Sequence, residues 1–253
     1  MRILYLLFGF PVFAFLFSCS STAKLPKDFN GNRIILPATK TQLANRILII
    51  TDSGNMVARL YDSTPLHRDN FKAKIKTGFY DDLLFHRVIK KFMIQGGDPT
   101  SRNAKKDSLL GEGEAPGGRI PAEIFSNIYH KKGALGMARD DNPEKASSNC
   151  QFYIVEGKVF TNEQLDSAAE KRHYTLDANQ RKIYTTIGGT PHLDKNYTVF
   201  GEVELGLDVI DKIAFVPTSK TDRPIGNVRM KMFLFNGKGK IIKKSKNRLK
   251  KTP

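Results

Sequence analysis

The chain has 253 residues, 40% of them hydrophobic, two cysteines and a formal net charge of +16. That is enough for one folded domain with appendages, and Cys19 and Cys150 are no basis for a disulfide framework. The charge does not read as nucleic-acid binding, because its distribution is lopsided: after Gly237 come Lys238, Lys240, Lys243, Lys244, Lys246, Arg248, Lys250 and Lys251 without one acid.

In chain order, Arg2 precedes an apolar stretch over residues 3–17, interrupted by Gly9 and Pro11. It is shorter than the ~20 residues of a spanning helix and fits a signal-peptide core. Leu16-Phe17-Ser18-Cys19 resembles a bacterial lipobox, which implies cleavage after residue 18 and lipid on Cys19. Ser20-Ser21 carries no aspartate, which under the enterobacterial sorting rule leans toward the outer membrane. Residues 19–40, with Pro26, Gly31 and Pro37, read as a flexible tether.

Ile47 to Ile50, the turn Ser53-Gly54-Asn55 and Met56 to Leu60 read as a hairpin. Thr64-Pro65 starts a helix with Thr64 as cap, an apolar face of Leu66, Phe71 and Ile75, and a stop at Gly78. Next comes Phe85-His86-Arg87-Val88-Ile89-Lys90-Lys91-Phe92-Met93-Ile94-Gln95-Gly96-Gly97-Asp98. Strand alternation puts Phe85, Arg87 and Ile89 on one side, and Met93 and Gln95 on a shared face beyond the Lys90-Lys91 turn. Arg87 and Gln95 then point into one depression floored by Phe92 and Met93. The run holds no nucleophile, metal ligand set or acid–base pair, so it suits a reaction in which a bond only rotates.

Gly111, Gly113, Gly117 and Gly118 make a glycine-rich loop without the strand, helix and lysine of a phosphate loop. The five histidines show no metal spacing, Cys150 has no base placed for it, and His86 reads as structural. Thr161-Asn162-Glu163-Gln164 is a capping box. A second helical pattern over residues 175–187 follows it, and residues 158–189 read as an inserted helical hairpin. Residues 206–214 form another helix, with Val209, Ile210 and Ile213 inward. Ile225, Val228, Met230, Met232 and Leu234 alternate as a closing strand.

The 85–98 run closely resembles the core motif of the cyclophilins, the peptidyl-prolyl cis-trans isomerases. So do Gly133-Ala134-Leu135-Gly136-Met137-Ala138-Arg139, Ser148-Asn149-Cys150-Gln151-Phe152-Tyr153-Ile154 and the block from His192 to Glu202, in the family's order. The resemblance implies a mainly β fold, a closed eight-stranded antiparallel barrel capped by two helices, over residues 41–236, with the basic tail as 237–253. It implies that Arg87 is the catalytic arginine and that Gln95 orients it. Phe92, Met93, Tyr153 and Leu193 match the pocket for the proline ring, and Gln151 contacts the residues before proline. Ala138 and Arg139 match the strand that pairs with the peptide. His192 stands where well-known members carry tryptophan, and Tyr197 where they carry histidine.

The expected function is a lipid-anchored, periplasm-facing monomer that assists folding of exported proteins. It needs no cofactor or metal and binds no nucleic acid, and its basic tail is expected to face an anionic envelope surface. The alternatives are a module of the same fold that binds proline segments without turnover, and a structural envelope protein.

Overall fold

The structure, a computed structural model, describes residues 26–32, 45–106, 108–236, 240–242 and 244. The leader, Cys19 and most of the lysine-rich tail lie outside the described residues.

Eight antiparallel strands form one curled sheet: β1 (Arg46–Thr51), β2 (Gly54–Leu60), β3 (Phe85–Ile89), β4 (Met93–Gly96), β5 (Ala134–Met137), β6 (Phe152–Val155), β7 (Val199–Leu205) and β8 (Met230–Leu234). Their order is β3-β4-β6-β5-β7-β2-β1-β8. The outermost strands, β3 and β8, share no ladder. The residues just ahead of them meet at one bridge, Leu84 with Arg229, and at bonds such as Phe85 N–H to the Val228 carbonyl, 2.9 Å. Further along β3, the Val88 N–H donates to the Asp222 carbonyl at 2.8 Å, so a loop lies on the edge that a closing strand needs. The expected closed barrel is therefore corrected to a half-barrel laced near one end.

The β1–β2 hairpin turns at Asp52-Ser53, one step earlier than the glycine suggests, because Gly54 and Asn55 already pair with Thr51 and Ile50. Ile47 and Ile49 face the inner core, while Leu48 and Ile50 face a second cluster with Phe235 and Ile241, against which Phe29 packs. Two covered faces explain why β1 is apolar without alternation. Two cations lie over the Phe29 ring, Arg229 at 4.6 Å and Lys231 at 4.8 Å from its centre. Ile241 is buried beside Phe235, and Lys244 is ion-paired to Asp81. Phe29 from the expected tether, and Ile241 and Lys244 from the expected tail, thus contact the body.

Two helices seal the inner core. Helix α1 (Pro65–Lys76) lies against β7 and β8 and buries His67, Phe71 and Ile75. Phe71 sits among Tyr80, Phe152 and Phe200 with ring centres 4.7–5.4 Å apart. Leu66, expected inward, is half exposed. Thr64 makes no side-chain cap bond; Glu123 caps the helix from a distant loop, accepting from Leu66 N–H at 3.1 Å and His67 N–H at 3.0 Å.

The insertion contains α2 (Asn162–Arg172) and α3 (Ala178–Thr186), each opened by a complete capping box, at Thr161 and at Asp177. Helix α4 (Leu207–Ala214) buries Val209, Ile210 and Ile213 against the sheet, each worth roughly 1.5–3 kcal/mol.

Candidate active site

A bulge sets the site. Phe85 pairs with Gly96 and Arg87 with Gln95, leaving His86 as the extra residue between them. A bulge re-aims the residues on either side of it, so Phe85 joins Val88 in the inner core while Arg87 turns outward. The strict alternation that grouped Phe85 with Arg87 is corrected here. His86 is buried, and that burial pushes its pKa down to about 4, so it is a neutral ring and not an acid–base group.

Residues directly opposite in antiparallel strands project from the same face. The register therefore lines up one row across four strands: Arg87 on β3, Gln95 on β4, Tyr153 on β6 and Gly136 on β5. The adjacent row is Ile89, Met93 and Val155. Both rows lie on the outer face, where Met93, Tyr153, Val155 and Leu193 form an apolar cluster.

A cavity of about 150 Å³ opens on this face, lined by Arg87, Phe92, Met93, Gln95, Ala138, Arg139, Tyr153, Leu193 and Tyr197. Two expected residues stand outside its lining. Gln151 lines a neighbouring depression of about 100 Å³ with Glu112, Glu114 and Arg119. His192 stacks on Phe92, ring centres 5.3 Å apart.

A relay of amides points toward Arg87. Gln151 Nε2 donates to the Gly111 and Gly113 carbonyls at 2.7 and 2.9 Å. Its oxygen must then face Gln95, whose Nε2 donates to it at 3.1 Å. That leaves Gln95 Oε1 toward Arg87 Nη1, 3.5 Å away, the long limit of a hydrogen bond. Arg87 Nε is also 3.5 Å from Asp222 Oδ2, and both side chains are nearly half exposed, so the pair is weak. The guanidinium is aimed by its neighbours but keeps donors for a substrate.

Tyr153 lies flat on β5 because Gly136 lacks a side chain: a Cβ there would sit 2.3 Å from Tyr153 Cζ. Burial holds the Tyr153 hydroxyl well above its ordinary pKa, and its oxygen is 2.8 Å from His130 Nε2. Tyr197 stands edge-on to Tyr153 at 6.0 Å. Arg139 lies over the Tyr197 ring at 4.8 Å and donates to the Asn196 carbonyl at 2.9 Å. Its charge is thus engaged in holding that wall.

Ala138 has its N–H on the Gln151 carbonyl and its own carbonyl on Ser148 N–H, at 2.9 and 2.8 Å. Ala138 lines the cavity while both its backbone groups are bonded within the chain. Sequence reasoning did not single out Gly136, His130 or Asp194. The available signal was a tyrosine hydroxyl in an apolar pocket, which requires a partner. Among the lining residues there is no carboxylate, thiol or imidazole, and burial pushes the Cys150 thiol up, out of the reactive range.

Residues 46–233 match the family described as cyclophilin type peptidyl-prolyl cis-trans isomerase/CLD. The chain belongs to this family. It is 33% identical over 186 residues to a Staphylococcus aureus protein provisionally named a peptidyl-prolyl cis-trans isomerase, covering 72% of this chain and 87% of that one. It is 34% identical over 184 residues to a Streptococcus pyogenes protein provisionally named a bifunctional phosphatase/peptidyl-prolyl cis-trans isomerase. That match covers 71% of this chain but 36% of the longer relative. In fold it is similar to a Cryptosporidium parvum cyclophilin-type isomerase, with TM-score 0.58 and 24% identity over 76% of this chain and 98% of that one. A second structure of that cyclophilin, obtained in the presence of the dipeptide Ala-Pro, gives a TM-score of 0.55 at 23% identity.

Proposed function

We propose that this cyclophilin rotates Xaa-Pro bonds in exported proteins, at the outer face of its pocket and from a lipid anchor on Cys19. The barrier to be lowered is ~18–20 kcal/mol, and it arises from amide resonance. As the bond twists, resonance is lost and the prolyl nitrogen gains a lone pair. A fixed donor that meets that nitrogen, or the adjacent carbonyl, only in the twisted state lowers the barrier without any proton being transferred.

The observation that carries this reading is the row from Arg87 through Gln95 to Tyr153, with a guanidinium lining a cavity of about 150 Å³ that Phe92, Met93, Tyr153 and Leu193 also line. Such a volume takes one benzene-sized ring, and a proline ring is of that class. Met93, Phe92, Leu193 and Tyr153 enclose the ring, Arg87 is the transition-state donor, Gln95 aims it, and Gln151 and Arg139 flank the residues before proline. The Ala-Pro dipeptide used with the structural neighbour is a suitable minimal probe for this pocket.

Arg87→Lys separates charge from geometry, because a lysine keeps the charge but not the planar fork. In the full chain it should bind an Ala-Pro peptide within about threefold of wild type yet lose most of the rotation rate. Equal rates would refute Arg87 as the transition-state donor, and no acceleration by either protein would move the chain to the binding-module reading. The lipobox resemblance and the leader over residues 3–17 support the anchor and the envelope location. Cys19→Ser should free the chain from membranes or leave it unprocessed; a mature-sized variant still on membranes in high salt would contradict the anchor.

A further inference from the structure

The inserted hairpin reaches the pocket through buried polar atoms. Helix α3 buries Gln180 and Tyr184, and both side chains meet one oxygen of Asp194. Tyr184 donates its hydroxyl to Oδ2 at 2.6 Å, and Gln180 Nε2 donates to the same atom at 3.3 Å. The other oxygen, Oδ1, accepts from the His130 backbone N–H at 2.9 Å and lies 2.8 Å from His130 Nδ1. A carboxylate only accepts, so His130 Nδ1 donates to Asp194, and His130 Nε2 is hydrogen-bonded to the Tyr153 hydroxyl at 2.8 Å. The chain of bonds thus runs unbroken from α3 through Asp194 and His130 to Tyr153.

None of its members is free to find water. Tyr184, His130, Tyr153, Gln180 and Asp194 are all at most 9% exposed, and a polar atom left unpaired in such surroundings is strongly disfavoured. The backbone repeats the connection. The Thr190 N–H donates to the His130 carbonyl at 2.8 Å, and the Lys132 N–H to the Gly188 carbonyl at 3.0 Å. At Gly189, φ is +154° and a Cβ would lie 2.2 Å from the His130 carbonyl oxygen, so the exit of α3 is pressed directly onto the His130 segment.

We propose that Tyr184 and Gln180, acting through Asp194 and His130, are positioning residues that hold the Tyr153 ring as the floor of the proline cavity. The insertion is then a support built into the pocket and not a surface addition. This inference rests on the reading of Tyr153 as part of the substrate pocket.

A double-mutant cycle tests it in the full-length protein. Tyr184→Phe keeps the ring and removes one donor at the far end; Tyr153→Phe removes the hydroxyl at the near end. Rotation rates on an Ala-Pro peptide should show Tyr184→Phe lowering kcat/KM by ~3–10-fold, carried by KM. In the Tyr153→Phe background the same substitution should change kcat/KM by less than about twofold. Equal effects in both backgrounds, or a fall in melting temperature with KM unmoved, would overturn the proposal. A second readout does not depend on turnover. The flip rate of a labelled Tyr153 ring, followed by NMR, should rise in Tyr184→Phe, and an unchanged rate would also overturn it. If wild type fails to turn over peptide while the flip rate responds, the active-site reading fails and the mechanical link stands.

Discussion

Replacing Gly136 with alanine should close the proline cavity from beneath. A Cβ at this position would lie 2.3 Å from Tyr153 Cζ and 2.5 Å from its hydroxyl oxygen, whereas carbon atoms pack at ~3.5–4.0 Å. The ring must therefore lift by about 1 Å or more. Gly136 does not have a left-handed backbone, so the substitution adds a clash and no backbone strain. Sideways relief is poor, because His130 holds the hydroxyl and Tyr197 stands edge-on at 6.0 Å. What remains is movement into the cavity of about 150 Å³.

Overpacking of this kind costs ~1–3 kcal/mol of stability. For a domain of this size that is roughly 2–12 °C in melting temperature. A misplacement of ~1 Å can cost up to ~100-fold in rate. Thermal unfolding and exchange NMR on an Ala-Pro peptide should show a folded, modestly destabilised variant with kcat/KM reduced ~10–100-fold. Introduced into Tyr153→Ala, the same alanine meets no ring and should cost little further stability. A Gly136→Ala variant within twofold of wild type in kcat/KM would refute the placement of Tyr153 as the cavity floor.

Two further outcomes follow from the scaffold. Glu123→Ala strands the first-turn N–H groups of α1 that Glu123 now accepts from; urea unfolding should register a loss of ~0.5–2 kcal/mol, and no loss would show that another group caps the helix. His86, held to about 4 by burial against 6.5 for the free side chain, takes up its proton more readily in the unfolded chain. Its contribution to stability is thus complete above pH 6.5 and falls as pH drops from 6.5 toward 4. The span of about 2.5 units at ~1.36 kcal/mol each amounts to roughly 3 kcal/mol. His86→Met should flatten that slope in urea midpoints measured from pH 7 to 4.5, and an unchanged slope would contradict it.

Local patterns carried much of the fold. The capping box at Thr161 could be read from four residues because both its bonds are local, and Asp177 with Gln180 has the same signature. Arg87 and Gln95 could be brought together because alternation on either side of a short turn fixes their pairing. Phe85 was misplaced because nothing in the 85–89 stretch marks His86 as an extra residue; the bulge appears only when β4 sets the register. The cap on α1 comes from Glu123, far along the chain, which no local rule supplies. The cover on β1 comes from Phe29 and Ile241, residues whose polar surroundings read as tether and tail. The link from α3 to Tyr153 is likewise made of residues from four separate segments, and spacing is silent on such contacts.

Exchange NMR of an Ala-Pro peptide with the full-length chain tests the central claim most directly. Cis and trans resonances should exchange faster in proportion to added protein, with their equilibrium ratio unchanged. Arg87→Ala should remove most of the acceleration, ~100–1,000-fold for one lost transition-state donor. Exchange no faster than in buffer, or equal acceleration by wild type and Arg87→Ala, would contradict the account.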